Sequence, residues 1–175
     1  MKKEIIILSD LWGKNKSEWL VQFNETLSPE YKTKFYDSCE LGEIDLTLSE
    51  EKLIHRQFVN FGIQKAVNKL LRIETQPQIY IGCSVGGVIA WKAGLLGLKM
   101  EQLITLSSTR LRMETEKPNC PITMYFGELD KHKPAAKWFE SIGCNYKIIE
   151  QSNHDIYKDQ LVVDQIVENI NQSNG

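Results

Sequence analysis

Short apolar runs rich in β-branched residues recur along this chain, and a stretch of helical periodicity separates most of them from the next. That alternation limits the fold more than any other feature. A strand–helix–strand series closes onto one sheet through crossovers that leave the strands parallel. The spacing predicts strands at Glu4–Leu8, Tyr31–Tyr36, Gln78–Gly82, Gln102–Leu106, Ile122–Phe126 and Tyr146–Ile149. It predicts helices from Ser17 to Leu27, from a Ser49 cap to Arg72 with an interruption at Gly62, and from Val85 to Leu96. Two more follow, Ala135 to Ile142 and Asp159 to Ile170. Short apolar strands suit a sheet covered on both faces. The expectation is an α/β fold of three layers, helices on both sides of a mostly parallel six-stranded sheet. With no repeat, low-complexity segment or linker to divide it, residues 1–175 read as one domain.

With 42% hydrophobic and 25% charged residues, the chain can fill such a core. A formal charge of −2 without any basic run gives no electrostatic footprint for nucleic acid or an anionic membrane surface. No segment approaches the roughly 20 apolar residues of a membrane span. The four apolar residues after Glu4 are too few for the apolar region of a signal peptide. Cys39, Cys83, Cys120 and Cys144 match neither a zinc site nor a redox CxxC, and are expected as free thiols in a reducing cytoplasm.

The segment Ile79-Tyr80-Ile81-Gly82-Cys83-Ser84-Val85-Gly86-Gly87-Val88 carries the clearest chemical signal. An apolar strand enters G-x-S-x-G and an apolar helix leaves it. A serine at the apex of so tight a turn has strained backbone angles, and its neighbours two residues away must lack side chains for the turn to close. Ser84 Oγ is then exposed, and the Val85 amide at the new helix's N-terminus can donate to an oxyanion. The alternative is a glycine-rich turn whose serine only caps the helix. Cys83, on the opposite side of the elbow, is expected as a packed thiol.

A serine hydroxyl needs a base beside it at neutral pH. Of three histidines, His154 directly follows the last predicted strand, and in a parallel sheet the loops after strands gather at one edge. Its orienting acid should follow another strand, and Ile122–Phe126 runs through Gly127 to Asp130. Glu128 is a second candidate, closer to the strand end. Asp155 is expected to face solvent or cap the last helix. His132 reads as a polar loop residue and His55 as an ordinary helix histidine.

At these residues the chain resembles the α/β-hydrolase family, whose order is nucleophile, acid, histidine. Phe126-Gly127-Glu128-Leu129-Asp130 is similar to the family's acid loop, and Asn153-His154 to its histidine loop. The resemblance implies a sheet order of 2-1-3-4-5-6, a Ser84–Asp130–His154 triad, and no metal or organic cofactor. It also implies a serine hydrolase, a carboxylesterase or thioesterase, acting on a small acyl substrate. Six strands would remain of the family's eight, and Ser107 to Pro121 leaves no room for a cap domain.

The family's second oxyanion donor follows its first central strand, often within His-Gly. Here Leu8-Ser9-Asp10-Leu11-Trp12-Gly13 stands there, with Ser9 and Asp10 in the His-Gly positions. The donor would be the Leu11 amide, or Trp12 if the loop is set differently, and the Asp10 carboxylate would have to turn away. The loop Asp37 to Leu48 is expected to form one wall of the site. Arg110, Arg112 and Lys117 read as a solvated loop in preference to an anion-attracting patch. The rival functions are an inactive hydrolase-fold binding protein and a flavodoxin-like nucleotide or flavin binder. The latter would need Ser9 to Ser17 as a phosphate loop, and that stretch lacks a glycine-rich pattern. Oligomeric state has no signal in the sequence.

Overall fold

A computed structural model describes residues 2–174, with side chains through 172. Its six strands are β1 (Glu4–Leu8), β2 (Lys32–Tyr36), β3 (Gln78–Cys83), β4 (Met100–Leu106), β5 (Ile122–Gly127) and β6 (Asn145–Ile149). All pair in parallel, in the order β2-β1-β3-β4-β5-β6. The helices are α1 (Leu20–Leu27), α2 (Ser38–Gly42), α3 (Glu51–Gln57), α4 (Ile63–Ile73), α5 (Val85–Leu95), α6 (Ala136–Ile142) and α7 (Gln160–Asn174).

Strand alternation divides the apolar residues between two cores. Ile5 and Ile7 of β1, with Ile79 and Ile81 of β3, pack on one face against Phe23 and Leu27 of α1 and Val163, Ile166 and Ile170 of α7. Ile6, Leu8 and Tyr80 enter the other face, against α4, α5 and Phe139 of α6. The central strands are apolar on both sides because both sides are covered. At the edges, β2 carries Lys32 and Lys34 and the mostly exposed β6 carries Lys147, and such edge lysines blunt pairing with another chain. Burying an aliphatic side chain of this size contributes about 1.5–3 kcal/mol, so the two cores dominate the stability.

Three local features depart from the sequence reading. Ser49 does not cap the helix predicted to run from it to Arg72. The backbone stays extended through Glu50 (φ −73°, ψ 128°), so the helix starts at Glu51 without a side-chain cap. The interruption before α4 is a π-helical turn, Phe58–Gly62. Its wider step brings Ile63, five residues after Phe58, back to the buried side. The loop after β2 contains α2, capped by Asp37, whose Oδ1 accepts from the amides of Cys39 (2.7 Å) and Glu40 (3.2 Å).

Phe23 is fully buried and meets Trp19 edge-on at a centroid distance of 5.7 Å. Phe23→Ala should lower the unfolding free energy by about 3–5 kcal/mol with little change in denaturant slope, measured by urea denaturation.

Candidate active site

Ser84 follows β3 at φ 51°, ψ −115°, a positive-φ conformation that costs a non-glycine residue about 1–3 kcal/mol. The surroundings hold it there. Its amide donates to Leu106 O at 2.7 Å, and its carbonyl accepts from Ser108 Oγ at 2.8 Å. A side chain at Gly86 would put Cβ 2.5 Å from Ser9 O, so this glycine lets α5 start against the end of β1. Cys83 is fully buried, and burial pushes its thiol well above the ordinary range, as the elbow geometry requires.

The acid and histidine loops are joined by a second close approach. A Cβ on Gly127 would fall 2.1 Å from Asn153 O. Without one, the chain after β6 lies against the end of β5, with Glu128 N bonded to Ile149 O and Leu129 N to Ser152 O, each at 2.9 Å. Asp130, buried at 3% side-chain exposure, then meets His154: Nδ1 lies 2.7 Å from Asp130 Oδ2. The other imidazole nitrogen, Nε2, lies 3.1 Å from Ser84 Oγ. Asp130 Oδ1 accepts the His132 amide at 2.9 Å, so both carboxylate oxygens are occupied. Glu128 has another task, its Oε2 accepting the Gln151 amide at 2.9 Å. Asp155 is exposed and pairs with Lys158, and the residue accepting at the start of α7 is Asp159.

Asp10 is nearly fully buried beside this group. Its Oδ1 accepts the Trp12 amide at 3.0 Å and its Oδ2 accepts the Tyr157 hydroxyl at 2.9 Å. The carboxylate therefore turns away, into two bonds of its own. Burial raises its pKa against the opposing pull of those bonds. Burial, followed by the Asp10 charge, also drives the Tyr157 hydroxyl upward, so Tyr157 stays a donor. This arrangement removes Trp12 as an oxyanion donor, because its amide is already used. Among the described residues, the amides of Leu11 and Val85 have no acceptor. Both residues line the same cavity as Ser84 and His154. Tyr157 had no sequence signal; only the fold shows why a tyrosine three residues after the histidine belongs here.

That cavity encloses about 580 Å³. Its far wall is not the 37–48 loop, which packs elsewhere, but Glu51, His55, Phe58 and Val59 on α3 and the π turn. His55 is thus a wall residue, where the sequence suggested an ordinary helix histidine. Arg110 and Arg112 line the cavity from a 3-10 turn, Thr109–Met113, after β4, whereas Lys117 bonds the Gly143 carbonyl and does not. Among the described residues, no three His, Cys, Asp or Glu side chains converge to hold a metal, and no helix is long and apolar enough to cross a membrane.

The raised pKa of Asp10 has a definite sign. Between the unfolded value near 3.8 and the higher folded value, the native state binds more protons than the unfolded one. Its contribution to stability is therefore present below pH 4 and lost as pH rises through the folded pKa. Asp10→Asn should remove this slope. The stability of the natural protein relative to the variant should fall as pH rises above 4 and level off once pH exceeds the folded pKa, in parallel urea denaturations.

No protein-family model matches the sequence, and no curated protein does either. Solved structures do match. A protein of the α/β-hydrolase superfamily from Xanthomonas campestris shares 15% identity over 99% of both chains, with a TM-score of 0.67. A carboxylesterase structure from the thaumarchaeon Nitrososphaera gargenis gives a TM-score of 0.72 at 11% identity, over 99% of this chain and 91% of that one. Est1E from Butyrivibrio proteoclasticus gives 0.67 at 14% identity, over 98% and 88%. With its parallel sheet in the order 2-1-3-4-5-6 and these likenesses along nearly its whole length, the chain has the α/β-hydrolase fold.

Proposed function

We propose that the chain is a serine hydrolase that cleaves a small ester or thioester through an acyl-enzyme, with Ser84 as nucleophile, His154 as base and Asp130 as orienting acid. The observation that carries this reading is the continuous hydrogen-bonded series from Ser84 Oγ through His154 to the buried Asp130. The strained elbow beneath Ser84 supports it, as does the occurrence of carboxylesterases among the proteins of like fold.

Asp130 holds the imidazole proton on Nδ1, which leaves Nε2 free to accept from Ser84. Ser84 Oγ attacks the carbonyl carbon as its proton passes to His154 Nε2. The carbonyl oxygen becomes an oxyanion received by the Leu11 and Val85 amides, the donors without another acceptor. The imidazolium, stabilised by Asp130, returns the proton to the departing alkoxide or thiolate, leaving Ser84 acylated. Water then gives its proton to Nε2 and attacks the acyl carbon. Collapse of that second intermediate restores Ser84 Oγ–H and releases the acid. Asp10 contributes by holding the Trp12 amide and so fixing the loop that presents Leu11.

A fluorophosphonate probe tests the nucleophile without knowledge of the substrate. Label is expected on Ser84 by peptide mass spectrometry, and none on Ser84→Ala. Turnover of 4-nitrophenyl butyrate should fall by roughly 10³-fold or more in His154→Ala, and by a similar factor in Asp130→Asn through the wrong tautomer. Folded protein that takes up no label would refute the hydrolase reading and favour a binding role for the same cavity.

A further inference from the structure

The cavity around Ser84 continues into a second one of about 280 Å³, and the two share His55, Val59 and Arg110. The second is lined also by Lys52, Leu53 and Arg56, so three of its six lining side chains are cations. Lys52 and Arg56 are four residues apart on α3, on one face of the helix, where like charges repel each other. Arg110 faces them from the turn after β4, and Arg112 joins it on the wall of the larger cavity. Among the described residues, none of Lys52, Arg56, Arg110 and Arg112 forms an ion pair. Elsewhere Lys14, Lys34, Lys65, Lys69 and Lys92 have carboxylate partners within 3 Å. Lys99, Lys131 and Lys137 form no ion pair among the described residues either, so what marks this place is the grouping of four unpaired cations on two adjoining cavities.

The chain has more carboxylates than cations, so this segregation does not come from composition. The carboxylates at the larger cavity are few and mostly committed. Asp130 is held by His154, Asp155 by Lys158, and Glu51 stands as the one local counter-charge. The imbalance registers on His55, whose pKa is lowered first by burial and then by Arg110, with Arg112 adding and Glu51 opposing. A repelling cluster without enough counter-charge, opening directly onto a nucleophilic serine, is a receptor for an anion.

The geometry points to a substrate that carries an anionic group remote from its scissile carbonyl, with the carbonyl at Ser84 and the anion in the adjoining cavity against Lys52, Arg56 and Arg110. This inference rests on the hydrolase reading and narrows it to esters or thioesters of anionic compounds. The anion belongs to either the acyl chain or the leaving group, and a carboxylate serves as the probe for both.

Two pairs of esters separate these cases. Mono-4-nitrophenyl adipate and its methyl ester differ only by a charge on the acyl side. 4-Carboxyphenyl butyrate and 4-(methoxycarbonyl)phenyl butyrate differ only by a charge on the leaving side. In one pair the anionic member should have the higher kcat/KM by about tenfold, the value of one or two partly exposed charge-assisted hydrogen bonds. Arg110→Gln, and separately the exposed double variant Lys52→Gln/Arg56→Gln, should erase most of that ratio by raising KM for the anionic ester. Added salt to 0.5 M should also shrink it. A ratio of one or less in both pairs, or a tenfold ratio that neither variant lowers, overturns the anion site while leaving the hydrolase intact. No turnover of any ester above the Ser84→Ala rate overturns the hydrolase reading itself, and this inference with it.

Discussion

The reversal of the chain at Ser84 is the constraint on which the site depends. A strand buried on both faces must stop, turn sharply and continue as a helix packed on the same sheet, and a serine at positive φ is the means. Such a conformation persists only where its surroundings leave no alternative. Here β4 supplies the acceptor for the Ser84 amide, Ser108 holds its carbonyl, and the Ser9 carbonyl lies where a side chain on Gly86 would be. The central strands therefore do more than form a core: each ends in a group that fixes the elbow. Because their C-terminal ends share one edge, the same burial that stabilises the sheet delivers Asp130 and His154 to the serine.

Asp130 and Asp10, two of the buried carboxylates at this edge, have surroundings that give them different tasks. Asp130 has one oxygen on the His132 amide and the other on His154 Nδ1, so its charge is directed at the imidazole. Asp10 spends both oxygens on Trp12 and Tyr157. On the proposed mechanism, a charge beside the oxyanion position is unfavourable unless donors of its own absorb its field, and the Trp12 amide and Tyr157 hydroxyl are placed to do that. The substitution of Ser9-Asp10 for a His-Gly pair thus changes how the loop is held, and leaves the Leu11 amide without an acceptor.

Most of the architecture was legible because it depends on local periodicity. The six strands follow from short apolar runs along the chain and the elbow from the pattern at Ile79–Val88, while the sheet order was an implication of the family resemblance. What was not legible depends on contacts between distant segments. Nothing near Tyr157 marks it as the partner of Asp10, which is 147 residues away. The assignment of the cavity wall to residues 37–48 failed for a similar reason. Asp37 caps a short helix that packs away from the site, and the π turn at Phe58–Gly62 carries α3 across the opening instead. Lys117 shows the limit of reading charge from sequence. It stands only five residues after Arg112, yet it is used on the Gly143 carbonyl.

On the proposed reading, the position of charge around the cavity is what selects the substrate. In a chain of net charge −2, eight of the 17 lysines have carboxylate partners among the described residues, while the α3 and Thr109–Met113 cations stand unpaired around the opening. On that reading, an anionic ester meets the cations of α3 and the Thr109–Met113 turn at the cavity opening. Low-dielectric walls concentrate that field at the entrance. Selection by a rigid helix face costs less ordering than closure of a lid, because Lys52 and Arg56 are already set four residues apart on α3. The recognition element is then part of the sheet-covering layer, held by the buried Ile54 and Phe58 of the same segment. On the proposed reading specificity and stability are coupled: the apolar side of this helix holds it on the fold, and its polar side presents the charge.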